Sequence, residues 1–316
     1  MHVQKTLREL VDKEYQDRWH ETIFGYEFTW VSAKNYYRVD RYGRVHPRNN
    51  YNKMVDEKLE ATTALANFLG YQYTPAKIFP NTARTREAYF QEVRTASACV
   101  HTDIDCVEVS TPPSDDWQLH IELFTICDKF LRSKGFTHKR MRGIEQTQDM
   151  HVNVSFGNEL PGVSEAMRCR LNILYAQFPV LSWIFAASYN NETAQIPDCL
   201  NTWDTLRSKR KSYENSYIEF RAPEMVSSPL EVRAVGEFHR KLYTFAYSLN
   251  ARNVEYFDDF AFRKHLRKRL RTITFEDCIR DFYFWCDLLD VDFRLFERMA
   301  YHNLWRRLKY YPEGRV

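Results

Sequence analysis

Two kinds of spacing share this chain. Up to about residue 222, short runs of alternating apolar and polar side chains are interleaved with helical stretches; after Pro229 the apolar residues recur almost entirely at helical intervals. Residues 3 to 19 have helical spacing, with Leu7, Leu10 and Val11 on one face. The run Thr22-Ile23-Phe24-Gly25-Tyr26-Glu27-Phe28-Thr29-Trp30 predicts a strand, and residues 31 to 52 a loop. A helix is expected over Val55 to Leu69. Residues 101 to 113 alternate and stop at Pro112-Pro113, which marks a strand ended by a turn. A helix from Asp116 to Lys134 is closed by Gly135. Residues 136 to 157 read as two strands joined by a turn, Ser164 to Gln177 as a helix, 196 to 212 as a loop or mixed stretch, and Tyr217 to Ala222 as a strand. Helices are expected over 230 to 250, 260 to 270, 275 to 289 and 291 to 309. This order fits an α+β fold better than the regular alternation of a parallel βαβ sheet. The expected organisation is an α+β domain over 1 to 250 with a helical C-terminal extension, 251 to 316, packed on it.

Composition narrows the classes. At 316 residues the chain is long enough for a substantial core. Its nine glycines form neither a G-x-G-x-x-G nor a G-x-x-x-x-G-K phosphate loop. Seven scattered cysteines with no C-x-x-C pair argue against a zinc ribbon or a disulfide framework and for reduced thiols in a cytoplasmic protein. The N-terminus lacks a signal-peptide core, and no apolar run nears the roughly 20 residues that span a bilayer. The net charge of +3 does not by itself imply nucleic acid. One charge block stands out, Arg263 to Arg271, with Leu266 and Leu270 four residues apart. A helix with a solvated basic face is the default there, and a polyanion such as nucleic acid the alternative.

Candidate chemistry lies in the strands. In Tyr217-Ile218-Glu219-Phe220-Arg221, Glu219 and Arg221 share a face opposite Ile218 and Phe220. His151, Asn153 and Ser155 share a face in the same way, backed by Val152 and Val154. Glu27, and a third acidic stretch containing Asp103, Asp105 and Glu108, complete the set. Carboxylates suit Mg²⁺, a histidine widens the choice toward Mn²⁺, and arginine suits phosphate. The plainer readings are a solvent-facing Glu27, a core histidine at 151 and a structural Glu219–Arg221 ion pair. Glu108 competes with Asp103 and Asp105 for one role. A metal-dependent nuclease built on Asp103 and Glu108 lacks the strand lysine it would need.

The text Met150-His151-x-Asn153-x-Ser155, followed by Ile218-Glu219-Phe220-Arg221-x-Pro223-Glu224, resembles the active-site segments of the glutamine synthetase superfamily. The Gly25-x-Glu27 strand and the Glu108-Val109-Ser110-Thr111-Pro112-Pro113 run resemble its compact branch, the amidoligases, related to other carboxylate–amine ligases. The resemblance implies a curved, mainly antiparallel sheet backed by helices. It also implies an ATP- and Mg²⁺-dependent enzyme that joins a carboxylate to an amine through an acyl phosphate. Glu27, Glu108, His151 and Glu219 would hold metal and Arg221 would clamp the transferred phosphoryl group. Asn153, Ser155, Arg207, Lys209 and Arg210, with Lys211, would lie near the nucleotide. A peptide, a cell-wall fragment, a polyamine or a protein side chain could supply the substrate groups. Thr29 and Asn153 stand where the family pattern has a glutamate and a histidine. These departures support a second expectation, an inactive ligase-like binding or assembly module, with residues 263 to 271 as its nucleic-acid contact.

Overall fold

The computed structural model describes residues 17–34, 37–39, 45–47, 51–69, 79–80, 89–90, 92–94, 98–102, 106–138, 150–185, 206–210, 216–221, 223, 228–249 and 273–310. The expected helices at 3 to 19 and 260 to 270 lie outside them, apart from a 3₁₀ turn at Asp17–Glu21; so do Asp103, Asp105, Lys211 and the basic block at 263 to 271. In chain order the elements are β1 (Ile23–Ser32), β2 (Tyr37–Val39), β3 (Val45–Pro47), α1 (Tyr51–Phe68), β4 (Phe79–Pro80), β5 (Tyr89–Phe90), β6 (Glu92–Arg94), β7 (Cys99–Thr102) and β8 (Cys106–Ser110). There follow α2 (Trp117–Ser133), β9 (Phe136–Thr137), β10 (Met150–Glu159), α3 (Pro161–Gln177), a single turn α4 (Val180–Trp183), β11 (Leu206–Arg210) and β12 (Ser216–Phe220). The helices α5 (Pro229–Ser248), α6 (Phe275–Leu288) and α7 (Glu297–Tyr310) complete the chain.

The fold is α+β. An open, antiparallel sheet runs in the order β11-β12-β10-β1-β8-β7-β6, with β9 also on β1, and helices back it. Alternation along β1 sends Phe24, Tyr26, Phe28 and Trp30 to one face, where all four are buried. Val107, Val109, Val152, Val154, Ile218 and Phe220 join them there, and α1, α2, α3 and α5 pack over the same face. The rings of Phe24, Tyr26 and Phe28 form a continuous row, with Phe124 of α2 against Phe28 at 5.2 Å. Polar side chains of opposite parity are thereby collected on the other face.

Local signals set the helix ends. The Asp116 carboxylate accepts the Gln118 N–H at 2.8 Å to start α2, and Gly135, at φ +82°, follows its end, as a left-handed helix stop requires. Pro161 and Pro229 open α3 and α5, where the missing N–H costs nothing. A capping box opens α6: the Thr274 hydroxyl accepts the Asp277 N–H, and the Asp277 carboxylate accepts the Thr274 N–H, both at 3.1 Å. The C-terminal segment adds aromatic side chains to the core: Phe282, Trp285 and Phe296 are fully enclosed, and Phe296 meets Phe185 and Phe238. Leu295, beside Phe296, is exposed.

The structure refines three expectations. The stretch expected as a loop at 31 to 52 contains the paired strands β2 and β3. The two strands expected over 136 to 157 are present as β9 and β10, and both lie on β1, with Val31 opposite Thr137 and Phe28 opposite Met150. The mixed stretch at 196 to 212 contains β11, a lateral strand of the sheet. Its sequence, Leu-Arg-Ser-Lys-Arg, is charged as edge strands commonly are, which hides it from a search for apolar alternation.

Candidate active site

Pairing across the three central strands builds the site. Glu27 of β1 stands opposite His151 of β10, and Asn153 of β10 opposite Glu219 of β12. Each of these residues sits between fully buried apolar neighbours: Tyr26 and Phe28 flank Glu27, Met150 and Val152 flank His151, Ile218 and Phe220 flank Glu219. Burial of those neighbours fixes the strand parity, so the polar residues have one face to occupy.

The side chains converge. The Nδ1 of His151 is 2.8 Å from Glu27 Oε2 and 3.4 Å from Glu219 Oε1. The Asn153 amide donates to Glu27 Oε1 at 3.1 Å. Potential ligand atoms of Glu27, His151 and Glu219 all lie within 4.8 Å of one another. Two cations face the carboxylates. Arg221 donates from Nη1 to Glu219 Oε2 at 3.3 Å, and the Lys209 ammonium is paired with Glu219 Oε1 and lies 3.5 Å from Glu27 Oε1. Glu219 is fully buried, so its charge depends on these partners.

Titration follows the same contacts. Burial would raise the Glu27 carboxyl, but the hydrogen bond and charge of His151, then Lys209 and Asn153, outweigh it and hold the group far below the ordinary carboxylate range. Burial would lower His151, but Glu27 and then Glu219 raise it. Lys209 is likewise raised: burial works against its charge, and the two carboxylates prevail.

Among the described residues, three polar atoms of this group are buried without a geometrically regular hydrogen bond: His151 Nε2, Asn153 Oδ1 and Glu219 Oε1, the last of which is ion-paired with Lys209. With Nδ1–H directed at Glu27, neutral His151 keeps a lone pair on Nε2, the arrangement usual for metal-ligating histidines. An imidazole nitrogen, an amide oxygen and carboxylates together suit Mg²⁺ or Mn²⁺. The residues present therefore fit a divalent ion.

The remaining candidates are spread around this centre. Glu108 is on the same face, opposite Thr29 and outside the close group of Glu27, His151 and Glu219. Ser155 stands opposite Ile23, and its hydroxyl accepts the Gly157 N–H at 3.2 Å. Arg207 is opposite Glu219 on β11, while Arg210 pairs with Ser216 and has the opposite parity to Arg207 and Lys209. Sequence reasoning assigned Lys209 to the nucleotide; its observed partners are the two glutamates. The pairing of 206 to 210 with 216 to 220 reveals this, and local alternation does not. Also unanticipated were Ser110, directly opposite Glu27, and His101, whose Nε2 is 3.2 Å from the Ser110 hydroxyl.

No family model and no curated protein matches the chain. Among solved structures, it is similar to the complex between the prokaryotic ubiquitin-like protein Pup and its ligase PafA. That match has 10% identity over 96% of this chain and 67% of the other, at a TM-score of 0.49. It is also similar to a novel glutamine synthase homolog, with 13% identity over 96% and 71% of the two chains and a TM-score of 0.43. Both similarities extend along nearly the whole chain at very low identity. No helix among the described residues is long and apolar enough to cross a membrane.

Proposed function

We propose that this chain is an ATP-dependent carboxylate–amine ligase. A substrate carboxylate attacks the γ-phosphorus of ATP and ADP departs; an amine then attacks the acyl phosphate, releasing phosphate and forming the amide. The observation that carries the reading is the convergence of Glu27, His151 and Glu219 beside Lys209 and Arg221 on one sheet face. Isolated surface charges have no reason to converge in this way, whereas a site for phosphate and a divalent ion requires both signs together.

His151, Glu219 and Glu27 would hold Mg²⁺, with the Asn153 amide oxygen beside them. When bound, the ion supplies charge neutralisation for phosphate oxygens. Arg221 presents a guanidinium that can fork onto a phosphoryl group. Glu219 keeps that guanidinium oriented, and Asn153 and His151 keep Glu27 ionised and in place. Glu108, Ser155, Arg207 and Arg210 belong to the outer parts of the substrate-binding surface in this reading. The proposed carboxylate and amine come from a peptide, a cell-wall fragment, a polyamine or a protein side chain.

Thermal unfolding with Mg²⁺ and ATP, together with ADP release in mixtures of carboxylates and amines, tests the reading. A nucleotide present at about 100 times its dissociation constant stabilises the native state by about 2.7 kcal/mol. The expected result is a nucleotide-dependent rise in melting temperature and metal-dependent ADP release, both reduced at least tenfold in affinity or rate by Glu219→Ala and Arg221→Ala. Absence of both effects in the wild-type chain overturns it. Thr29, Asn153 and the existing ion pairs of Glu219 favour the second reading, a ligase-like module without catalysis. For that module one expects no nucleotide response and salt-sensitive retention on a polyanion column.

A further inference from the structure

Lys209 is placed where a buried carboxylate pair would otherwise draw a cation from solution. It reaches the site from β11, where it stands opposite Tyr217, and its ammonium group lies between Glu27 Oε1 and Glu219 Oε1. The Lys209 side chain is one-third exposed, while the Glu219 side chain is wholly enclosed. On the other side of the pair, Arg221 takes Glu219 Oε2. The two carboxylates thus already face two side-chain cations.

The remaining capacity of the group lies elsewhere. His151 Nε2 and Asn153 Oδ1 are both buried and have no hydrogen-bond partner among the described residues. The Lys209 ammonium is directed at the two carboxylates instead. One part of the site is therefore already faced by protein cations, and another has buried polar atoms without a protein partner.

We propose that Lys209 permanently fills one cation position of this site. It leaves a single divalent ion to be held by His151 and Asn153 with a glutamate oxygen. The inference rests on the ligase reading for the use of that ion, but not for the competition itself. A fixed ammonium between two carboxylates repels a dication at short range, since like charges a few ångströms apart oppose each other strongly where water is scarce. Removing it should open a second, stronger cation position.

The test is direct Mn²⁺ binding, followed by calorimetry and by the loss of the free-ion electron paramagnetic resonance signal, in the wild-type chain and in Lys209→Met. The wild type is expected to bind one ion. Lys209→Met is expected either to bind a second ion or to bind Mn²⁺ at least tenfold more tightly. A second readout needs no turnover: in chelator Lys209→Met should melt below the wild type, and Mn²⁺ should raise the melting temperature of the variant more than that of the wild type, closing most of the difference. Should Lys209→Met fail to fold, Lys209→Gln removes the charge while keeping a hydrogen-bond donor, and the same gain is expected. Unchanged or weaker Mn²⁺ binding without the lysine overturns the proposal. If the wild type binds Mn²⁺ and nucleotide and the variants gain nothing, only the role of Lys209 falls. If no form binds Mn²⁺, the ligase reading falls with it.

Discussion

A Cβ added at Gly236 of α5 would sit 1.8 Å from the Tyr26 hydroxyl oxygen and 2.9 Å from the Trp117 ring. That hydroxyl donates to the Val232 carbonyl at 2.9 Å, and Tyr26 is fully buried. Gly236→Ala must therefore displace an aromatic ring and break a buried hydrogen bond, at a cost of about 3 kcal/mol in urea unfolding. Tyr26→Phe in the same chain removes the closest atom and should recover part of the loss. No sequence pattern announces this contact, because it joins residues 210 positions apart through shape alone. The site residues were easier to read. Glu27, His151 and Glu219 each interrupt an apolar alternation, so parity places them together once the strands pair. Lys209 was harder: its partners depend on which strand neighbours β12, a fact held in pairing rather than in local text.

The elements show a similar division. Helices with capping residues and Pro or Gly punctuation were legible close to their ends, because those signals act within one turn. The capping box of α6 carries a measurable part of that helix's stability. Thr274→Ala is expected to cost about 1 kcal/mol, measured as a lower urea midpoint with unchanged slope. The effect should reach the whole core, since α6 delivers Phe282 and Trp285 into it. Short and charged strands were less legible. β11 carries three cations in five residues, and β9 has only two residues; neither offers enough alternation to be recognised before its neighbour is known.

For the molecule as a whole, two histidines on the helical side of the sheet set a pH response. Burial depresses His120 to about 4 and His239 to about 4. His120 lies against Phe24 and Tyr26, and His239 against Phe185 and Phe220. Between about pH 6.5 and pH 4 the unfolded chain protonates both imidazoles while the native chain does not. The contribution of these two groups to native stability must therefore fall as pH falls through that window, and their penalty vanishes above it. Each histidine adds a slope of up to about 1.4 kcal/mol per pH unit. His239→Phe suits its aromatic surroundings and should flatten the urea-derived stability profile by up to one proton, with little change near neutrality. An unaltered slope in that variant would show that His239 does not contribute.

The anchoring of the central strands has a consequence for how the site responds to a ligand. Tyr26 and Phe28, Met150 and Val152, and Ile218 and Phe220 grip the backbone on either side of Glu27, His151 and Glu219. The constellation is preassembled. Arrival of a ligand should demand little reorganisation of the sheet, and a rotamer change at the partly exposed end of Arg221 should absorb what movement is needed.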